Sequence, residues 1–159
     1  MVLVKVLFVC LGNICRSPTA EGVFRKHIQI NCLEDKIEID SVGTGSWHVG
    51  NPPDTRSQEF AAQRGYDISN QRSRLINNLD VIESDYLLAM DTDNILTLQK
   101  LIPEEMQNKL FRFLEFAPHL NQLDVPDPYY SSPDGFDLVL DLIEDASEGL
   151  LMHIKNNDL

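Results

Sequence analysis

Residues 2–9 (VLVKVLFV) are apolar at every position except Lys5 and rich in β-branched side chains, the pattern of a strand covered on both faces in a parallel sheet. Ser17 followed by Pro18 then reads as the N-cap and first residue of a helix reaching about Ile30. Residues 37–42 alternate as a second strand, residues 43–53 form a loop containing Gly and Pro, and residues 54–64 read as a helix capped by Asp54 and ended by Gly65. Residues 85–90 give a third buried strand, residues 92–101 a helix stopped before Pro103, and residues 110–114 a short fourth strand. Residues 116–135, interrupted by Pro118, Pro126, Pro128 and Pro133, read as an ordered loop. A final amphipathic helix over residues 136–154 places Phe136, Val139, Leu140, Ile143, Leu150, Leu151 and Ile154 near helical spacing.

Strands alternating with helices predict an α/β fold: a four-stranded parallel, doubly wound sheet with helices on both faces, Rossmann-like, with right-handed crossovers. The length suits one domain over residues 1–159. In such sheets a ligand sits beyond the carboxyl ends of the strands, near the switch in strand order. The loop that starts at Cys10 is therefore the expected lip of the site.

Composition narrows the partners. With 43% hydrophobic residues the chain is not disordered, and a net charge of −12 argues against general binding of nucleic acid or anionic membrane. The charge is unevenly spread: residues 1–30 carry four basic side chains against Glu21 alone, whereas residues 80–159 carry four against seventeen acidic ones. An anion site is thus expected near the N-terminus, as a basic patch on an acidic body. No apolar run approaches the ~18–20 residues of a membrane span. No export signal is evident, and the three cysteines, Cys10, Cys15 and Cys32, fit reduced thiols in a cytoplasmic protein.

The segment Cys-Leu-Gly-Asn-Ile-Cys-Arg-Ser, from Cys10 to Ser17, puts a thiol at a strand end, an arginine six residues on and a helix start behind it. A short loop wound into a helix N-terminus turns successive N–H groups of Leu11, Gly12, Asn13, Ile14 and Cys15 toward phosphate or another tetrahedral oxyanion. Gly12 permits close approach or positive φ, Asn13 tolerates a left-handed turn, and Arg16 offers a planar fork to two phosphate oxygens. The helix terminus and Arg16 would also make Cys10 a thiolate, aimed at phosphorus and steadied by the Ser17 hydroxyl. An ester oxygen leaves poorly unless protonated, so a general acid is needed. Asp127, flanked by Pro126 and Pro128 and followed by Tyr129 and Tyr130, is the candidate, while His27, His48, His119 and His153 read as structural or solvated.

With both segments in hand, the chain resembles the low-molecular-weight protein tyrosine phosphatases from end to end: Cys10 to Pro18 matches the N-terminal signature and Asp127-Pro128-Tyr129-Tyr130 the acid loop. Asp40-Ser41, the loop with Gly45, Trp47 and Gly50, Asp54-Thr55-Arg56, and Met90-Asp91 with Asn94 are also similar to the family. The resemblance implies hydrolysis of phosphotyrosine, in proteins and small aryl phosphates, through a phosphate ester on Cys10. Arg16 would clamp the phosphate and Asp127 would act as acid and then base, with no metal or other cofactor. It implies that Asn13, Ser17 and Ser41 support the loop and that Trp47, Tyr129 and Tyr130 grip the substrate ring; Trp47 alone also reads as a partly exposed core aromatic. Gln71 stands where the family usually has a histidine, which affects the support of the loop more than the reaction. Cys15 is either a resolving thiol that captures an oxidised Cys10 as a disulfide or a small packing residue. A monomer or weak homodimer is expected.

Two other functions fit less well. An arsenate reductase of the related fold passes oxidation through cysteines in its C-terminal half, and none follows Cys32. A non-catalytic phosphotyrosine-binding module would have lost Cys10 or Asp127, and both are present.

Overall fold

The computed structural model describes residues 3–129 and 134–159. β1 (Val4–Cys10) lies at the middle of the sheet, paired with β2 (Ile37–Gly43) on one side and β3 (Tyr86–Ala89) on the other, and β4 (Leu110–Arg112) completes the order β2-β1-β3-β4. All three pairings are parallel. The expected four-stranded parallel sheet is what forms.

Period-two alternation splits β1 between two cores, as a strand buried on both faces must. Val4, Val6, Phe8 and Cys10 pack toward α1 (Arg16–Ile30) and α5 (Asp134–Asn157), where the Phe8 ring meets Phe24 and Phe113 edge-on. Leu7 and Val9 face the opposite layer with Val81 of α3 (Asn78–Glu83) and Ile95 and Leu98 of α4 (Thr92–Leu101). The chain runs from β1 outward to β2 and returns to β3 on the other side, so the strand order switches beside β1. Cys10 is the last residue of that strand.

α2 (Thr55–Gln63) is capped as expected by Asp54, whose carboxylate accepts from the Arg56 and Ser57 N–H groups. α3 was not expected; Asn77 and Asp80 build a reciprocal cap that permits a helix of six residues. Three local expectations fail. Ser17 does not cap α1: the helix starts at Arg16 with Cys15 at the cap position, and the Ser17 hydroxyl is turned to Cys10 instead. The fourth strand ends at Arg112 and not at residue 114, because Glu115 closes a 3-10 turn (Phe113–Phe116) onto the Arg112 N–H and buries Phe113 and Leu114 completely. Residues 116–135 are not all loop, since Pro118–Leu120 forms a further 3-10 turn. Among the described residues no helix is long and apolar enough to cross a membrane.

Candidate active site

The loop after β1 is held from outside by its carbonyls. Cys10 O accepts from the Thr44 N–H, Leu11 O from the Gly45 N–H, Gly12 O from the Ser73 hydroxyl, Ile14 O from the Asp54 N–H, and Cys15 O from the Thr19 N–H and hydroxyl. With the C=O groups engaged outward, the curl leaves its N–H groups to the concave side, the geometry of an anion nest. Asn13 makes the turn in the left-handed region at φ 56°. Gly12 keeps a negative φ and serves close approach: a Cβ there would stand 3.1 Å from the His48 ring.

Two donors converge on the Cys10 sulfur, the Ser17 hydroxyl at 3.0 Å and the Asn13 N–H at 3.3 Å. Behind Ser17 runs a buried chain of hydrogen bonds. Asn13 Nδ2 donates to Ser17 Oγ (2.8 Å) and to Ser41 Oγ (3.1 Å), and Ser41 Oγ donates to Glu21 Oε1 (2.8 Å). A carboxylate only accepts, so the Ser41 proton goes to Glu21 and leaves the Ser41 oxygen to accept from Asn13; the Ser17 oxygen likewise accepts from Asn13, which leaves its own proton for the sulfur or for Val42 O at 3.4 Å. Asn13 Oδ1 accepts from the Arg74 N–H, which settles which way the amide faces. Gln71 occupies the supporting position, donating from Nε2 to Pro18 O at 2.9 Å, with its Oε1 3.4 Å from Ser41 Oγ. Burial pushes the Glu21 carboxyl up, against the lowering by Arg25 and Ser41.

Arg16 is 3% exposed. Its Nη1 donates to Asp91 Oδ2 (2.6 Å) and Val125 O (2.9 Å), while Nη2 stands 3.6 Å from Asp127 Oδ2. Burial alone would lower its pKa, but Cys10, Asp91 and Asp127 outweigh it and the guanidinium stays charged. Asp91 does two jobs, since its other oxygen caps α4 at the Asn94 N–H. Asp127, with its side chain 41% exposed, accepts from the Tyr129 N–H at 3.0 Å.

These groups surround a cleft of about 410 Å³ whose floor is Cys10, Leu11, Gly12, Ile14, Cys15 and Arg16 and whose walls include Trp47, His48, Asp127 and Tyr129. Trp47 is 72% exposed at the rim, its ring lying where a Cβ on Gly45 would be, which makes it a wall and not a core aromatic. Asn13, Ser17 and Ser41 stand behind the loop and Tyr130 lies outside the described residues. Cys15 reaches the cleft but is buried with Ile14 and Phe136, and burial pushes its thiol up to about 12. Among the described residues no group of three or more His, Cys, Asp or Glu side chains is arranged to hold a metal ion.

Among the described residues the cleft lining does not form the expected basic patch. Arg16 and Asp127 are the charged walls of the cleft, and the other cations of residues 1–30 lie elsewhere: Lys5 pairs with Glu38 and Glu83, Arg25 with Glu21, and Lys26 sits over the Tyr66 ring. Charge summed along a segment does not survive folding as a patch when a helix points its cations away from the loop it begins. His48, read from the sequence as incidental, is a cleft wall; adjacency to Trp47 was its one signal. Glu21 and the double role of Asp91 had none, since both depend on partners twenty or more residues away.

A family model described as low molecular weight phosphotyrosine protein phosphatase matches residues 5–159. The chain is 40% identical over 153 residues to the low molecular weight protein-tyrosine-phosphatase YfkJ of Bacillus subtilis, covering 96% of this chain and 97% of that one. It is 42% identical over 154 residues to the low molecular weight phosphotyrosine protein phosphatase of Schizosaccharomyces pombe, covering 95% and 97%. The crystal structure of the Entamoeba histolytica protein tyrosine phosphatase with Hepes in the active site superposes at a TM-score of 0.94 and 42% identity, covering 98% and 99% of the two chains. Similarity that spans almost the whole of every chain compared leaves neither the sheet nor the cleft outside it: the chain belongs to the low molecular weight phosphotyrosine protein phosphatase family.

Proposed function

We propose that this phosphatase hydrolyses phosphotyrosine in a protein substrate in two displacements at phosphorus, with Cys10 as nucleophile. The observation that carries this reading is the convergence of the Ser17 hydroxyl and the Asn13 N–H on the Cys10 sulfur at the floor of the cleft. Such donors favour the thiolate as attacking and as leaving group.

In the first displacement the sulfur attacks phosphorus, an S–P bond forms and the P–O bond to the ring breaks. Asp127, on the cleft wall, gives its proton to the departing phenol oxygen. In the second, Asp127 takes a proton from water, the water oxygen bonds to phosphorus, the S–P bond breaks and inorganic phosphate remains; the Ser17 hydroxyl receives the returning thiolate. The loop N–H groups and the Arg16 fork hold the equatorial oxygens throughout, and positioning and charge of this kind carry most of phosphoryl transfer. Asp91 and Val125 O hold one guanidinium nitrogen, Nη1, so the fork is oriented before substrate arrives. Trp47 at the rim and Tyr129 on the wall suit a flat aromatic ring. The whole of residues 1–159 acts as one catalytic domain, and the charge balance at phosphorus calls for no metal.

Hydrolysis of phenyl phosphate in the presence of a chelator tests the scheme. Wild type should turn over, Cys10→Ser should not, and trapping in acid should yield a phosphate ester on Cys10. Turnover surviving in Cys10→Ser, or abolished by the chelator, would overturn it.

A further inference from the structure

Asp127 stands well over a hundred residues from Cys10 in the chain and is substantially exposed, so something must fix its carboxyl over the cleft. Tyr129 is held at both of its main-chain groups: its N–H donates to Asp127 Oδ1 at 3.0 Å, and its C=O accepts from Arg56 Nη2 at 3.1 Å. Arg56 is itself held by Asp54, with Nε 3.2 Å from Oδ1 and Nη2 3.1 Å from Oδ2. Asp54 in turn donates its N–H to Ile14 O, 2.8 Å away in the phosphate loop. The guanidinium also lies over two rings, 5.5 Å from the centroid of Tyr129 and 4.8 Å from that of Phe136. The Phe136 ring stacks on Phe60 of the same α2 that carries Arg56.

We propose that Arg56 is a positioning residue for the general acid, tying the Asp127 segment through Asp54 to the loop that holds the phosphate. A planar fork that binds a carboxylate, donates to a carbonyl and stacks on aromatics at once is a combination lysine cannot reproduce. The link sets the height of the Asp127 carboxyl relative to phosphorus and leaves the oxyanion cradle alone, because the Asp54 N–H to Ile14 O bond and the α2 cap are main-chain and Asp54 bonds that survive loss of the Arg56 side chain. The inference rests on the reading of Asp127 as general acid.

Leaving groups separate the two roles. Phenol, with a pKa near ~10, needs protonation to depart, whereas 4-nitrophenol is far more acidic and does not. In Arg56→Met, which keeps an apolar stem against the rings, kcat/KM for phenyl phosphate should fall about tenfold while that for 4-nitrophenyl phosphate changes less than about twofold, a fraction of the loss on removing a general acid outright. Inhibition by inorganic phosphate should be unchanged, and Arg56→Lys should recover only part of the phenyl phosphate rate. The ratio of the two kcat/KM values does not depend on the fraction of folded enzyme, and Arg56→Gln read by the same ratio serves if the Met variant is too unstable to isolate. Equal loss on both substrates, no loss, or weaker phosphate inhibition would overturn the proposal. Asp127→Asn, assayed alongside, must show the larger leaving-group effect; if it shows none, the reading of Asp127 itself fails, and the clamp with it.

Discussion

In the segment from Cys10 to Ser17 the carbonyls of five residues are engaged from outside, and Asn13, Arg16 and Ser17 are all buried. The Asp127 segment, on the opposite wall, keeps its carboxyl substantially exposed and is tied down by the Tyr129 N–H, by Arg16 at 3.6 Å and, at one remove, by Arg56. The first is a cradle whose function is to have donors in place before charge develops, and rigid donors cost no reorganisation at the moment of reaction. The second must lose and regain a proton and admit water, which a sealed carboxyl would do poorly. Loss of a cradle group should therefore damage every substrate, and loss of an acid-side group should damage substrates according to their leaving group.

The largest effect tests the cradle half of that contrast. Lysine at position 16 keeps a charge but has no planar fork, and it cannot serve Asp91, Val125 O and two phosphate oxygens together. Arg16→Lys should lower kcat about 10²–10³-fold for 4-nitrophenyl phosphate, as for removal of a fixed oxyanion donor, and at least as much for phenyl phosphate, because Arg16 also steadies Asp127. Inhibition by inorganic phosphate should weaken in parallel. A loss confined to phenyl phosphate would erase the distinction between the two loops.

The same contrast explains what could be read from the sequence. The cradle is local: eight consecutive residues contain the strand end, the left-handed Asn13, the arginine and the helix start, so its chemistry is legible in one line. The Asp54 cap is local too, and forms as expected. Where the reading failed, a long-range partner outbid the local one. Ser17 resembles an N-cap until a sulfur at the end of β1 takes its hydroxyl. Residues 113 and 114 look like strand until the ring of Phe8 offers Phe113 a buried place one turn away. Glu21 pairs with Arg25 four residues on, yet it is buried, because Ser41 of β2 draws its other oxygen inward. No spacing rule announces that a helix face is polar because a catalytic loop lies behind it.

Glu21 gives a smaller effect that divides stability from activity. Burial holds its carboxyl above the ordinary value, so the folded chain binds that proton more readily than the unfolded one, and the charged group opposes folding at neutral pH. That opposition fades as pH falls through the raised value toward the ordinary ~4.3. Glu21→Gln should therefore be more stable than the parent in urea unfolding at pH 7, with the difference shrinking in acid. An amide can also present a donor to Ser41, competing with Asn13 Nδ2 for the Ser41 oxygen and loosening the support of Asn13, and kcat should drop about threefold to tenfold. A variant that gained no stability at pH 7, or whose gain grew in acid, would show that the buried charge is not a cost.

The smallest effect concerns two thiols five residues apart in the same rigid loop. Cys10 has donors converging on its sulfur; Cys15 is buried among Ile14 and Phe136 with its thiol pushed up to about 12. Thiolate is the reactive form, so rigidity on the cradle side protects one sulfur while presenting the other. Alkylation by iodoacetamide at neutral pH, mapped by mass spectrometry, should mark Cys10 and the exposed Cys32 and leave Cys15 untouched. Labelling of Cys15 should then climb about tenfold per pH unit, as expected for a thiol titrating far above the assay range. The same dependence governs any capture of an oxidised Cys10 by Cys15: disulfide formation after peroxide should accelerate with pH, and Cys15→Ser should abolish it. Fast, pH-independent labelling of Cys15 would mean that the cradle opens on its own, and the contrast between a sealed loop and an open one would fail at its firmest point.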